Sequence, residues 1–221
     1  MTAGSMPRRP VFSAAPDYPG RFIVLEGIDG AGTTTQSQLL ARALDRSGVA
    51  AHLTREPSDG PVGRLLREIL AGHHAPTDAT TLALLFAADR ADHIQREVEP
   101  ALSSGRAVVS DRWYHSSLAY QGGGEERAWI AELNRRARRP DLTLFLRVAP
   151  EVAAERRAAS RRGDELFDAM PLQRQIARGY EEIMQELAGS EPIEIVDGEQ
   201  PVERVADACL GLALAAMERR R

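Results

Sequence analysis

Residues 21–44, RFIVLEGIDGAGTTTQSQLLARAL, decide the fold. A short apolar run over 21–26 opens into Gly27, Gly30 and Gly32, after which Gln38, Leu39, Leu40, Ala43 and Leu44 recur with helical spacing. The segment reads as strand, glycine loop, helix. Glycines at these positions let the chain turn tightly so that successive N–H groups point inward, and the following helix adds its positive dipole end. The loop nearly spells the phosphate-binding pattern G-x-x-x-x-G-K-[ST], but Thr33 stands in the lysine position. Gly27, Gly30, Ala31, Gly32, Thr33, Thr34 and Thr35 are the candidate cradle, with Thr34 in the hydroxyl slot that normally serves Mg²⁺. The bland alternative is a tight strand-to-helix turn.

Working outward, further strands are expected at 50–55, 107–110, 142–147 and 192–196. Helices are expected at 62–71, 78–103, 114–121, 126–138, 150–160, 168–188 and 202–219. Alternation of buried strands with helices predicts an α/β fold: a five-stranded, mostly parallel sheet with helices on both faces. Ligands in such sheets sit beyond the carboxyl ends of the strands. The glycine loop, Arg55-Glu56-Pro57 and Asp111-Arg112 all fall there. Asp111, following a buried strand, is placed to orient a metal-bound water opposite Thr34; a capping aspartate is the plain alternative.

At 221 residues the chain fits one domain. Residues 1–20, with Pro7, Pro10, Pro16 and Pro19 beside Arg8 and Arg9, read as a mobile extension, an organelle leader being the lesser alternative. A net charge of −4 argues against a nucleic-acid surface, although local arginines could hold small phosphates. No run of about 20 apolar residues predicts a membrane span. The single Cys209 excludes an internal disulfide and leaves the compartment open, a reducing cytoplasm being the easier fit. All 28 basic residues are arginine, so no distant lysine can replace the missing one.

The blocks FIVLEGIDGAGTTTQ (22–36), TREP (54–57), LFAADRADH (85–93), SDRWYHSSLAYQGGG (110–124) and ERRAASRRGDELFD (155–168) resemble the thymidylate kinase family in order and spacing. The resemblance runs from Arg21 to the C-terminus. It implies a P-loop fold of the nucleoside-monophosphate-kinase kind, with ATP as co-substrate, Mg²⁺ as cofactor, dTMP as acceptor, and a homodimer packed through long helices. It further implies that Phe86 stacks on thymine, that Arg90, Ser117 and Gln121 read the base, and that Tyr120 lies near the sugar. Arg112 would grip the acceptor phosphate, with Asp29 near the transferred group. Glu56 would organise the acceptor site through an arginine or a metal-bound water, unless it merely caps the next helix. Phe86 and Tyr120 could equally be core aromatics.

A lid at about 156–167 is implied to carry the catalytic arginines, Arg156, Arg157, Arg161 and Arg162 being the candidates, as in the bacterial form of the family. Since the glycine loop has no arginine, one of these is expected to take over the lysine's work. Two other readings are open: a catalytically impaired nucleotide-binding or regulatory homologue, for which Thr33 is the best argument, and a kinase for another pyrimidine nucleotide or a deoxynucleoside.

Overall fold

The structure is a computed structural model that describes residues 17–75, 77–122, 126–159 and 169–218. Five strands, β1 (Phe22–Glu26), β2 (Ala51–Arg55), β3 (Ala107–Asp111), β4 (Leu142–Arg147) and β5 (Ile193–Asp197), form one sheet in the order β2-β3-β1-β4-β5. Every pairing is parallel. β1 is central and buried on both faces, which is why its sequence is apolar without alternation. Ile23 and Leu25 point to one core and Phe22 and Val24 to the other.

Helices α1 (Thr33–Arg46) and α9 (Val202–Glu218) cover the Ile23 face through Leu40, Leu44, Val205 and Cys209. The opposite face receives α4 (Glu99–Ser103) and α5 (Tyr114–Gln121), with Leu102 and Leu118 against Phe22 and Val24. The remaining helices are α2 (Pro61–Leu70), α3 (Ala79–His93), α6 (Glu126–Leu133), α7 (Pro150–Ala159) and α8 (Met170–Leu187). The five-stranded parallel sheet with helices on both faces is the architecture expected from the sequence. No described helix is long and apolar enough to cross a membrane.

Two expected helices differ. The stretch 78–103 is interrupted by a π-helical turn at Ile94–Val98. Pro100 has no N–H and its ring would crowd the carbonyl one turn back, so the wider turn relieves the ladder before α4 begins. The helix expected over 126–138 stops at Leu133. There Asn134 donates its side-chain amide to the carbonyl of Ile130 at 2.8 Å, competing with continuation of the backbone ladder.

Residues 1–16 of the expected extension lie outside the described residues, while Tyr18 sits under the Arg138 guanidinium and the Gly20 N–H donates to the Leu102 carbonyl. Strand register positions the chemistry. Asp111 is level with Leu25 on one side and Arg55 on the other. The Glu56 N–H then donates to the Asp111 carbonyl, and the Arg112 N–H to that of Leu25. The carboxyl ends of β1, β2 and β3 are thereby locked side by side.

Candidate active site

The loop after β1 reaches the head of α1, whose first-turn N–H groups have no acceptor within the helix. No acidic side chain occupies that turn, which leaves its positive end free for an anion. Gly30 adopts φ 89°, and a Cβ there would lie 2.4 Å from the Ala153 carbonyl of α7, so only glycine permits this approach. A cleft of about 650 Å³ lies over the loop, lined by residues 29–36 together with Asp111, Arg112, Arg156 and Arg157.

Thr33 is buried and folds against the loop. Arg157 crosses the loop instead: its guanidinium donates to the Asp29 carbonyl, and its Cγ lies beside Gly30. Arg156 points to the other wall and donates to the Gly198 carbonyl at 3.0 Å. The structure therefore separates two of the four candidate lid arginines; Arg161 and Arg162, like most of the expected lid, lie outside the described residues. Thr34 donates its hydroxyl to Asp111 Oδ2 at 2.5 Å, while the buried Asp111 Oδ1 has no hydrogen-bond partner among the described residues.

A smaller cavity of about 140 Å³ adjoins the cleft and shares Asp29, Glu56 and Arg112 with it. Phe86, Arg90, Ser117, Tyr120 and Gln121 line this cavity, as does Trp113. Arg90 is buried. Its Nε and Nη2 donate to Glu56 at 2.9 and 2.5 Å, its Nη1 to Asn134 Oδ1, and both terminal nitrogens approach Ser117 Oγ. Glu56 thus holds an arginine, and α2 is capped by Gly60 instead. Gln121 contributes an amide whose oxygen and nitrogen are both buried without a partner among the described residues, an expensive state unless a ligand completes it.

Arg112 stands at the junction. A non-glycine φ of 76° turns its side chain back over the loop, a strained setting of the kind that clusters at functional sites. Nη2 meets Asp29 at 2.5 Å, and the guanidinium lies 5.3 Å over the Tyr120 ring. Burial pushes the Tyr120 hydroxyl well above the usual phenol range against the opposing Arg112 charge, with Asp29 adding to the rise, so it stays neutral.

Several groups were invisible to spacing arguments. Glu26, the charge ending the apolar β1 run, is completely buried and accepts from the Trp113 N–H, Ser116 and Tyr180. Burial would raise its pKa, but the His115 hydrogen bond and charge, Ser116 and Arg112 bring it below the usual carboxylate value. His115 is equally buried between Glu26 and Glu191. Desolvation favours its neutral form, yet the two carboxylates overrule it and raise its pKa to about 9. Asn134, the chain's only asparagine, was the available signal for one of these missed residues, its rarity marking a position that composition alone would not fill.

The His115 arrangement has a pH signature. Its folded pKa of about 9 exceeds the 6.5 of a free imidazole, so its stabilising contribution is complete below about pH 6.5 and lost toward pH 9. Urea midpoints of the intact protein and a His115→Gln variant should converge as pH rises through that window; a constant gap would contradict a charged His115.

The family model described as "Thymidylate kinase" matches residues 25–209. The probable thymidylate kinase of Thermococcus gammatolerans is 38% identical over 202 residues, 87% of this chain and 95% of that protein. The thymidylate kinase of Synechococcus sp. strain JA-3-3Ab is 43% identical over 194 residues, covering 84% and 91% of the two chains. That of Synechococcus sp. strain WH7803 is 48% identical over 152 residues, 62% and 70%.

Proposed function

The chain belongs to the thymidylate kinase family and transfers the γ-phosphoryl group of ATP to dTMP, giving dTDP for nucleotide biosynthesis; we propose that it does so across the shared wall of its two cavities, with Arg112 and Arg157 supplying the cationic charge that the loop lacks. The observation that carries this reading is the position of Arg112, which lines both cavities and turns its guanidinium toward their junction.

In this reading the cleft over the glycine loop takes the ATP phosphates, held by the loop amides and the head of α1. The small cavity takes dTMP, its thymine between Phe86 and the Arg90, Ser117 and Gln121 polar groups, its sugar near Tyr120. Arg112 binds the acceptor phosphate with paired charge-assisted hydrogen bonds. An oxygen of that phosphate is already anionic, so attack on the γ-phosphorus needs alignment and charge neutralisation more than a general base. Asp29, paired to Arg112, sits where the two phosphates meet and keeps the guanidinium turned toward that point.

Arg157 is the residue that takes over the absent lysine's role, since among the described lid arginines it is the one that contacts the loop. Arg156 serves the wall near Gly198, and Arg161 and Arg162 complete the lid's catalytic arginines. Thr33, too short and uncharged, contributes shape. The Asp111 and Thr34 oxygens fit Mg²⁺, a hard cation that takes most of its ligands from phosphates and water. The unpartnered Asp111 Oδ1 supports that assignment. When bound, Mg²⁺ would neutralise charge on the β and γ oxygens of ATP.

A homodimer and a cytoplasmic location belong to the same proposal. Leu84, Ala88 and Ala91 are exposed at i, i+4 and i+7 on α3, an apolar stripe suited to a symmetric helix contact. The requirement for ATP and the lone, buried Cys209 support a cytoplasmic setting.

An ADP-release assay with dTMP, dUMP, dCMP and thymidine, with and without Mg²⁺, tests the reaction; turnover should depend on dTMP and on the metal. Arg157→Ala should lower kcat by roughly 10²–10³, the scale for one transition-state donor. A full-rate Arg157→Ala enzyme, together with a large rate gain in Thr33→Lys, would refute the replacement. Sedimentation should find a dimer that Leu84→Glu converts to monomer, and an unchanged assembly would remove α3 from the interface.

A further inference from the structure

Tyr180, on α8, is completely buried and stacks on Phe145 with ring centroids 5.5 Å apart. Its ring alone would be ordinary core. Its hydroxyl, however, meets three polar groups: Glu26 Oε2 at 2.9 Å, Ser116 Oγ at 2.8 Å and Arg112 Nη1 at 3.2 Å. Ser116 Oγ likewise meets Glu26 Oε2, at 2.7 Å, and Arg112 Nη1, at 3.3 Å.

The proton count in this cluster is constrained by its two charged groups. An ionised carboxylate only accepts and a guanidinium only donates. Each hydroxyl therefore gives its single proton to Glu26 or to the other hydroxyl, so that Glu26 orients the pair directly or through one of its members, and both turn lone pairs toward Arg112. The other oxygen of Glu26 is held by the Trp113 N–H at 2.8 Å, so the carboxylate cannot swing away. On the opposite side, Nη1 of Arg112 also donates to the Gly27 carbonyl at 2.9 Å. One edge of the guanidinium is thus fixed by three oxygens, two of them oriented by Glu26.

We propose that Tyr180 and Glu26 are positioning residues for acceptor-phosphate recognition: the Tyr180 hydroxyl, oriented by the buried Glu26 carboxylate, fixes the plane in which the Arg112 guanidinium meets the monophosphate. This rests on the reading of Arg112 as the acceptor-phosphate ligand. Neither residue touches substrate. Their effect passes through Arg112, so it concerns the phosphate of dTMP more than the base held around Arg90. The left-handed φ of 76° at Arg112 is one that the surrounding structure must hold in place.

Tyr180→Phe preserves the ring stack and removes only the hydroxyl. Calorimetric titration of the full chain with dTMP and with thymidine separates positioning from simple core packing. The variant should bind dTMP about ten-fold more weakly, the scale of one hydrogen bond to a charged group, with thymidine affinity and the KM for ATP unchanged. Ser116→Ala removes the second oriented hydroxyl and should give the same phosphate-selective loss, which keeps the test decisive if Tyr180→Phe does not fold. Equal losses for dTMP and thymidine, or full retention of dTMP affinity in both variants, would overturn the proposal. If the unaltered protein itself binds dTMP no more tightly than thymidine, the assignment of Arg112 fails, an outcome distinct from loss of the positioning role alone.

Discussion

Asp29 and Arg112 meet at 2.5 Å where the loop after β1 faces the chain leaving β3, and the other charged groups of the site are arranged around that contact. A carboxylate in a phosphate loop is electrostatically unfavourable unless a cation compensates it. Arg112 does so while remaining on the wall of both cavities. The pairing is made possible by parallel register: β1 and β3 end within one residue of each other, so the loop after β1 and the chain after β3 can meet. Without that register the two cavities would not share a wall.

A chain with no lysine meets its needs for positive charge with planar guanidinium groups. The difference is geometric. A lysine ammonium is a mobile point charge, whereas an arginine fork is held by acceptors in a plane. Arg90 is fixed by Glu56 and Asn134, Arg112 by Gly27, Ser116 and Tyr180, and Arg157 by the Asp29 carbonyl. Each guanidinium is oriented in advance of any ligand, the condition under which electrostatic stabilisation requires least reorganisation during reaction.

How far the site could be read beforehand varied with the length scale of each contact. Phe86 and Arg90, four residues apart on one helix, shared a face by spacing alone, and both line the small cavity. Glu56 was ambiguous between a helix cap and an arginine partner, because the choice depends on where α3 packs. Asn134 carried two roles that no local pattern displayed: it ends α6 against the Ile130 carbonyl and its oxygen holds Arg90. The π-helical turn before Pro100 was partly signalled by the proline, but a continuous helical pattern concealed it.

The sequence by itself determined the alternation of strand and helix, the glycine cradle and the placement of polar residues at strand ends. These follow from hydrophobic period and backbone sterics, which act over a few residues. Tertiary structure alone decided that Arg157 rather than Arg156 crosses the loop, and that Tyr180 reaches Glu26 across 154 positions of chain. Adjacent arginines on a helix point in different directions, and their targets are chosen by how α7 lies against Gly30. Hydrogen bonds have a range of about 3 Å, so partners far apart in sequence become definite only once packing has brought their atoms together.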